Sequence, residues 1–394
     1  MKILMIAPHV FFSQRGTPYS AYLKLKALSE SGIEFDLATY PFGENVEIKG
    51  VAIYRSSRPF FIKNIKQGPS LKKLLLDFFL AIKIISLLRK KRYDFLYTHE
   101  EMGFFGVLLK KFIKIRLVHE MHSSLPVEIE ERKFSSSKLI VNIFRNLEKM
   151  IINNSDIIVV HCKNLVDIVG NINQKVNLVL VENYSNVKIK KVGKKKQNAL
   201  RKELGIKKGE PVILYTGSFA NVNNLPMLLE SAKIVEKTIP NVKFVLVGGE
   251  TGNIEMLKDL SGKLNIAENV RIVEKVSPEE LNSYFSIATI LVSPRYSGIN
   301  IPFKIFSYLE SGVPIVVPES ILYNSFLDSG CAMITKPDKE DFANGVVRLI
   351  KDKKLMQKIS KGAIIKSKQY SYKNYISNIK VLKQKICGLE YGKK

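Results

Sequence analysis

Short β-branched runs alternate with amphipathic helical segments along almost the whole chain, and that alternation leaves few folds open. It is the pattern of parallel α/β sheets. In the first half the spacing predicts strands over 3–7, 35–39, 51–54, 95–98, 117–119, 157–161 and 178–181. The clearest helices between them fall at 19–31, 71–91 and 138–153. The second half restarts at 212–216 and continues with strands at 242–247, 270–273, 290–292, 315–317 and 332–334. Between the halves lies VKIKKVGKKKQNALRKELG, whose lysine density and shortage of apolar residues predict a linker or a solvated face. Two open sheets so joined leave a cleft, where ligands are usually bound. Beyond 347 the sequence reads as helical, and Ile376, Ile379, Val381, Leu382 and Ile386 predict a last helix packed back across the boundary.

Composition narrows the class. The chain has 394 residues, 25% charged and 46% apolar, which is globular and sized for roughly two domains. No apolar run reaches the roughly 20 residues that span a bilayer. The opening MKILMIAPHVFF imitates a signal peptide, but Pro8 and His9 cut its apolar core short, so a buried first strand is expected. Cys162, Cys331 and Cys387 are scattered, which argues against a disulfide framework or zinc site and fits a reducing cytoplasm. The net charge of +26 favours an anionic partner. Zinc fingers and aromatic-interleaved RNA signatures are absent, so nucleic acid is not expected.

The stretch LVSPRYSGINIPFKIFSYLESGVPIVV at 291–317 carries the strongest chemical signal. It reads as strand, polar loop, helix and strand, with Arg295, Ser297, Gly298 and Asn300 in the loop. Pro302 is expected at the first helical position and Lys304 in the first turn. A helix N-terminus flanked by two cations at a parallel strand end suits a diphosphate. Weaker loops of the same kind follow other strands. They are Gly217 and Ser218 in TGSFANVNN, Gly248 and Gly249 in VGGE at 247–250, and Gly16 and Thr17 in RGTP at 15–18. Thr17 is expected to cap a helix begun by Pro18. A dinucleotide-binding G-x-G-x-x-G is absent.

All five histidines lie in the first half. His9, His99, His119 and His161 fall at or just beyond predicted strand ends, on the edge expected to face the cleft, and His122 follows in HEMHSSLP. His119 and His122 flank Glu120, but this is not the helical H-E-x-x-H motif, and no metal is expected.

These segments resemble the retaining family 4 glycosyltransferases (glycosyl transferases group 1). The resemblance covers nearly the whole chain and rests on RGTP at 15–18, EMHSSLP at 120–126, VEN at 181–183 and SPR with P-x-K-I-x-S-Y-L-x-S-G-x-P-I-V within 293–316. It implies the GT-B architecture, two Rossmann-like domains facing a cleft, with the C-terminal helix crossing back to the first. The expected domains are 1–187 with 370–394, and 188–369. The first would take a glycan or lipid-linked acceptor, with His99, Glu100 and Glu120 on that side. The second would hold a nucleotide diphosphate sugar as substrate, with no cofactor.

The resemblance places His122 at the histidine that touches the donor sugar, and Arg295, Asn300 and Lys304 beneath the diphosphate. His122, Lys304 and Arg295 are then the expected catalytic set. Gly16, Thr17, Gly217, Ser218, Gly248, Gly249, Ser297, Gly298, Asn300 and Ser307 are the expected donor-binding set. The sequence departs from the family where two glutamates are usual, having Ile299 and Ser307. It also has Ser218 with Asn223 or Asn224 where an arginine and a lysine are common, and Glu274 for a glycine. A catalytically silent scaffold of a polysaccharide or glycolipid assembly complex and a nucleotide-sugar epimerase therefore stay open beside the transferase.

SLKKLLLDFFLAIKIISLLRKKR at 70–92 is apolar on most of its circumference and basic at its end. It reads either as a core helix or as one lying in the headgroups of an anionic inner membrane face. The second reading makes a cytoplasmic protein peripheral.

Overall fold

The structure is a computed structural model describing the chain except residues 14–15, 64, 66–69, 132–137, 186, 250 and 392–394. The chain divides into two compact units, Met1–Asn183 with Lys373–Lys394, and Tyr184–Tyr372.

The first unit is built on β1 (Lys2–Ala7), β2 (Glu34–Thr39), β3 (Val51–Arg55), β4 (Phe95–His99), β5 (Arg116–Met121), β6 (Ile157–Val160) and β7 (Leu178–Leu180). Their order is β3-β2-β1-β4-β5-β6-β7, with every neighbouring pair parallel. The chain builds outward from β1, then returns to place β4 on the other side of it. The C-terminal ends of β1 and β4 thus flank a topological switch point, where open α/β sheets leave a crevice. MKILMIA forms the central strand, and residues 3–7 are wholly buried.

The second unit repeats the plan with β8 (Val212–Thr216), β9 (Lys243–Gly249), β10 (Val270–Glu274), β11 (Ile290–Val292), β12 (Ile315–Pro318) and β13 (Met333–Thr335). The order β10-β9-β8-β11-β12-β13 is parallel throughout and puts the switch point between β8 and β11. Successive side chains feed opposite faces, as the pleat requires. Leu214, Val245, Leu291 and Ile315 join one core. Ile213, Phe244, Ile290 and Val316 join the other.

Two local expectations need correction. The basic stretch after 187 is only partly linker: Lys194–Glu203 is helical, and Leu200 and Leu204 enter the core with Val187. One apolar residue per turn is enough to dock a helix whose other faces are solvated. In the last helix, Tyr372–Tyr391, the buried residues are Tyr375, Ile379, Leu382 and Ile386, whereas Val381 is 44% exposed. Lys383 donates to the Ser31 carbonyl, and Lys385 to that of Leu178 at 3.2 Å, which ties this helix to the first unit. Among the described residues no helix is long and apolar enough to cross a membrane.

The helix Phe303–Ser311 is fixed against β8 by a buried phenol. The Tyr308 hydroxyl accepts from the Thr216 amide at 2.8 Å and bonds the Thr216 hydroxyl at 3.2 Å. Tyr308→Phe leaves that amide unpaired in the core, so it should cost about 1–3 kcal/mol. Chemical denaturation checks this, and a change below the error of the method would show the bond to be dispensable.

Candidate active site

Polar and charged groups gather at the C-terminal strand ends of both sheets. In the second unit the focus is Lys304. Pro302 is the residue just before the helix rather than its first turn, and Phe303 opens it, a shift of one from the expected start. Lys304 therefore points back from the first turn toward β8. Its Nζ lies 3.9 Å from the centre of the Tyr215 ring, and it has no hydrogen-bond partner among the described residues, although the atom is buried. Burial, then the charge of Arg295, holds the ammonium well below the ordinary lysine range.

The surrounding glycines make room for this cation. Gly217 has φ +131, and a Cβ there would come 3.3 Å from both Lys304 Nζ and the Tyr215 hydroxyl. Gly248, at φ +123, packs its α-carbon on the Gly217 carbonyl, leaving no space for a side chain. Arg295 Nε donates to the Ser297 carbonyl at 2.6 Å, and its guanidinium lies where a Cβ on Gly298 would be. Ser218 organises its loop, with its carbonyl accepting from Tyr215 at 2.8 Å and from Asn223 at 2.9 Å. Ser307 is buried and bonds Ser185 at 3.1 Å. Gly249 packs on Phe219, and Asn300 sits in the loop before the helix. The structure thus brings together Gly217, Ser218, Gly248, Arg295, Gly298 and Lys304.

In the first unit, His9 follows β1, His99 ends β4, Glu120 lies near the end of β5, and His122 and His161 follow β5 and β6. Glu120 is the hub. Its Oε1 lies 2.5 Å from Lys24 Nζ and 3.3 Å from His122 Nε2. Its Oε2 accepts from the Tyr97 hydroxyl at 2.7 Å. His122 Nε2 is in turn 2.9 Å from His99 Nδ1, with the two rings stacked. Glu120 and His99 are wholly buried, so they lie beneath the surface rather than on it. Burial raises the Glu120 pKa, but the Lys24 ammonium, by its charge and its hydrogen bond, outweighs it and holds the carboxyl well below its usual range. Burial keeps the imidazoles neutral, with His99 lowered to about 4 and His122 well below its ordinary value. His9, His99 and His122 each offer a ring nitrogen within 4.8 Å of the others, a spacing a metal ion would accept.

Other expected residues fall elsewhere. His119 points to the opposite face, bonded to Thr98 at 3.0 Å and packed on Gly103, because neighbours on a strand alternate. Glu100 adopts φ +50 and lines a small pocket with His119 and Glu148, apart from Glu120. The helix Gly16–Glu30 starts before Pro18, so Thr17 is inside it rather than its cap, and Gly16 and Thr17 belong to the first unit. Arg15 and Glu250 lie outside the described residues. The sequence reading missed Lys24, Tyr97, Tyr215 and Tyr308. Lys24 left a signal, sitting on the helix face shared by Ala21 and Leu28, and Tyr308 lay unremarked inside the P-x-K-I-x-S-Y-L motif.

Both halves match glycosyltransferase models. Residues 15–181 match Glycosyltransferase Family 4, and residues 196–366 match Glycosyl transferases group 1. An alpha-monoglucosyldiacylglycerol synthase of Acholeplasma laidlawii is 21% identical over 79% of this chain and 80% of its own. A sucrose-phosphate synthase of Thermosynechococcus elongatus superposes with a TM-score of 0.81 at 17% identity, covering 98% of this chain and 99% of its own. HepE of Anabaena, solved with UDP and glucose, superposes at 0.72 with 14% identity, over 98% and 99%.

The unpartnered ammonium has a thermodynamic signature. A lysine whose folded pKa is depressed binds fewer protons folded than unfolded, so stability rises with pH. The window runs from its folded pKa up to the unfolded value of about 10.4. Ligand-free Lys304→Met should be more stable than wild type by about 1–3 kcal/mol near neutral pH, with the alkaline rise flattened. Denaturation from pH 7 to 10 measures both, and destabilisation by the methionine would mean the charge has a partner.

Proposed function

We propose that this chain, a glycosyltransferase of GT-B fold by its two matched models and its paired sheets, uses Lys304 to receive the diphosphate of a nucleotide sugar. One observation carries this: a buried ammonium without a hydrogen-bond partner among the described residues, beside Arg295, at the switch point of a parallel sheet. Buried charges are ordinarily paired, so this one is built for an anion that arrives. HepE, a neighbour in fold, carries UDP and glucose, which supports a nucleotide sugar as that anion.

The chemistry follows from the charges. Breaking the anomeric carbon–oxygen bond leaves the electron pair on a diphosphate oxygen and gives the sugar oxocarbenium character. Lys304, Arg295 and the positive end of the dipole of the helix Phe303–Ser311 stabilise that oxygen as its charge grows, without a metal ion. The same oxygen takes the acceptor's proton as the new bond forms on the face it left, so configuration is retained. His122 is assigned to the donor sugar. No pair of catalytic carboxylates is needed.

The acceptor reading is a lipid-linked or glycan hydroxyl at an anionic membrane face. The helix Leu71–Lys90 turns out to do two things. Leu76, Leu80, Ile84 and Leu87 fill the core, while Leu71, Leu74, Phe78, Ile82 and Ile85 form an exposed stripe on another face. Phe104, Leu108 and Phe112 expose a second stripe on the helix Met102–Phe112, joined to the first through the Lys73–Glu101 pair at 2.7 Å. Lys72, Arg89, Lys90, Lys111 and Lys114 are exposed beside them. Apolar stripes edged by lysines match a bilayer with anionic headgroups. The named product class of the Acholeplasma relative, a glucosylated diacylglycerol, supports the same acceptor.

Calorimetry and turnover with UDP, GDP and ADP sugars test the donor assignment, and silence across that panel would favour a scaffold. Turnover of the donor without any acceptor, to an isomerised nucleotide sugar, would favour the epimerase. Lys304→Ala should weaken nucleotide binding about ten- to a hundredfold through loss of one charge-assisted contact, whereas His122→Ala should spare binding and slow transfer. Affinity within twofold of wild type in Lys304→Ala would remove the cradle.

Vesicle sedimentation tests the membrane face. Binding to anionic vesicles should weaken with salt and leave a salt-resistant remainder from the apolar stripes. Phe78→Ser with Phe112→Ser should abolish that remainder. No sedimentation at low salt would remove the claim.

A further inference from the structure

We propose that the buried Lys24–Glu120–Tyr97 cluster is a tautomer lock: it keeps the proton of His122 on Nε2 and so presents the Nδ1 lone pair as an acceptor for a substrate hydroxyl. The inference rests on the assignment of His122 to the sugar and names the positioning residues that act through it.

Lys24 is wholly buried in the middle of the helix Gly16–Glu30, on the face that also buries Ala21 and Leu28. A lysine there is costly, and a buried ion pair is seldom better for stability than apolar packing. Both oxygens of Glu120 are nevertheless engaged, Oε1 by Lys24 at 2.5 Å and Oε2 by Tyr97 at 2.7 Å. The carboxylate is thereby pinned in charge and in orientation, with Oε1 left 3.3 Å from His122 Nε2.

That contact decides where one proton sits. His122 Nε2 and His99 Nδ1 are 2.9 Å apart, a hydrogen-bond distance, so one nitrogen bears the hydrogen and the other the lone pair. If His99 donated, the His122 Nε2 lone pair would face the Glu120 anion. If His122 donates, its N–H faces both that anion and the His99 lone pair. The second arrangement sets an N–H against the anion at the nearer contact, 3.3 Å, and leaves the His99 lone pair at the farther one, 3.9 Å from Glu120 Oε2, so it is the favoured one. His99 then holds its own hydrogen on Nε2, a buried atom without a partner among the described residues. The lock explains why two nitrogens so close both belong to neutral rings, and why the carboxylate beside them is held by a lysine.

The charged and titratable groups around His122 come from every element packed near it. They are Lys24 on the first helix, His9 after β1 with Lys73 beyond it, Tyr97 and His99 on β4, Glu120 on β5, and His161 after β6. Tyr375 of the last helix stands beside Tyr97. Lys24 is the positive charge that offsets Glu120. Without it the same carboxylate would draw a proton onto His122 and convert it to an imidazolium with no lone pair. A metal shared by His9, His99 and His122 is the competing use of these rings. It would need a lone pair on all three nitrogens and would set a second cation close to Lys24.

The test uses the whole chain labelled with 15N-histidine, ligand-free, with long-range proton–nitrogen spectra and His122 identified by its loss in His122→Asn. Wild type should show His122 protonated at Nε2 only. Glu120→Gln should move part or all of that proton to Nδ1, lower kcat about tenfold or more, and leave the donor KM within twofold. In Lys24→Met the acidic limb of the kcat profile should move to higher pH by about one unit. Glu120→Gln serves where Lys24→Met does not fold. A wild-type Nδ1–H tautomer overturns the lock, as does a Glu120→Gln variant that loses activity with the tautomer unchanged. Stoichiometric metal in the purified protein, with His9, His99 and His122 all shifted by it, also overturns the lock. A wild type that turns over no nucleotide sugar contradicts the proposed function instead, and leaves the tautomer measurement standing.

Discussion

Lys304 carries a charge that the described protein around it does not neutralise, and much of the second unit is arranged to keep it so. The tyrosine ring beneath it, the guanidinium of Arg295 beside it and the glycines above it exclude water without supplying an anion. In a low-dielectric pocket such an ammonium prefers to shed its proton. An arriving diphosphate reverses that preference, because attraction between opposite charges is strongest where water is excluded. Under the proposed function, diphosphate binding and protonation of Lys304 are therefore coupled.

Position comes from the sheet. Because β8 and β11 are neighbours although β9 and β10 intervene in sequence, the loops after them diverge and leave the helix Phe303–Ser311 pointing its first turn at the gap. Tyr308 clamps that helix to Thr216, and Tyr323 bonds Ser293 at 2.7 Å to hold the loop on the other side. The first unit uses the same geometry for the opposite purpose. At its β1–β4 switch point the charges are matched internally, Lys24 by Glu120, and the proposed product is a neutral imidazole of fixed hydrogen-bonding sense. One sheet edge offers uncompensated positive charge, and the other offers a polarised but neutral group.

Strand positions were legible because apolar β-branched runs in a parallel sheet have few alternatives, and the 212–216 and 290–292 strands are found at those residues. The clustering of Arg295, Gly298 and Lys304 was legible, since the first two share one loop and Lys304 lies in the first turn of the helix that follows it. What stayed hidden depends on contacts between distant segments. Nothing near Lys24 announces that Glu120, 96 residues away, will meet it. His119 and Glu120 looked equivalent, and only the strand's pleat separates a structural histidine from the hub. The lysines at 194–196 disguised a docked helix because Leu200 is its single buried residue. Val381 was misassigned because an apolar residue can lie one position off the buried stripe of a helix.

The most direct test of the account is the protonation state of Lys304 itself, read from the 13Cε resonance of selectively labelled lysine as pH is varied, with Lys304→Met supplying the assignment. In the free protein this resonance should titrate well below those of the other lysines. On saturation with UDP it should move up to join or exceed them. A Lys304 that titrates with the surface lysines in the free protein, or that ignores UDP while the protein is saturated with it, would contradict the account.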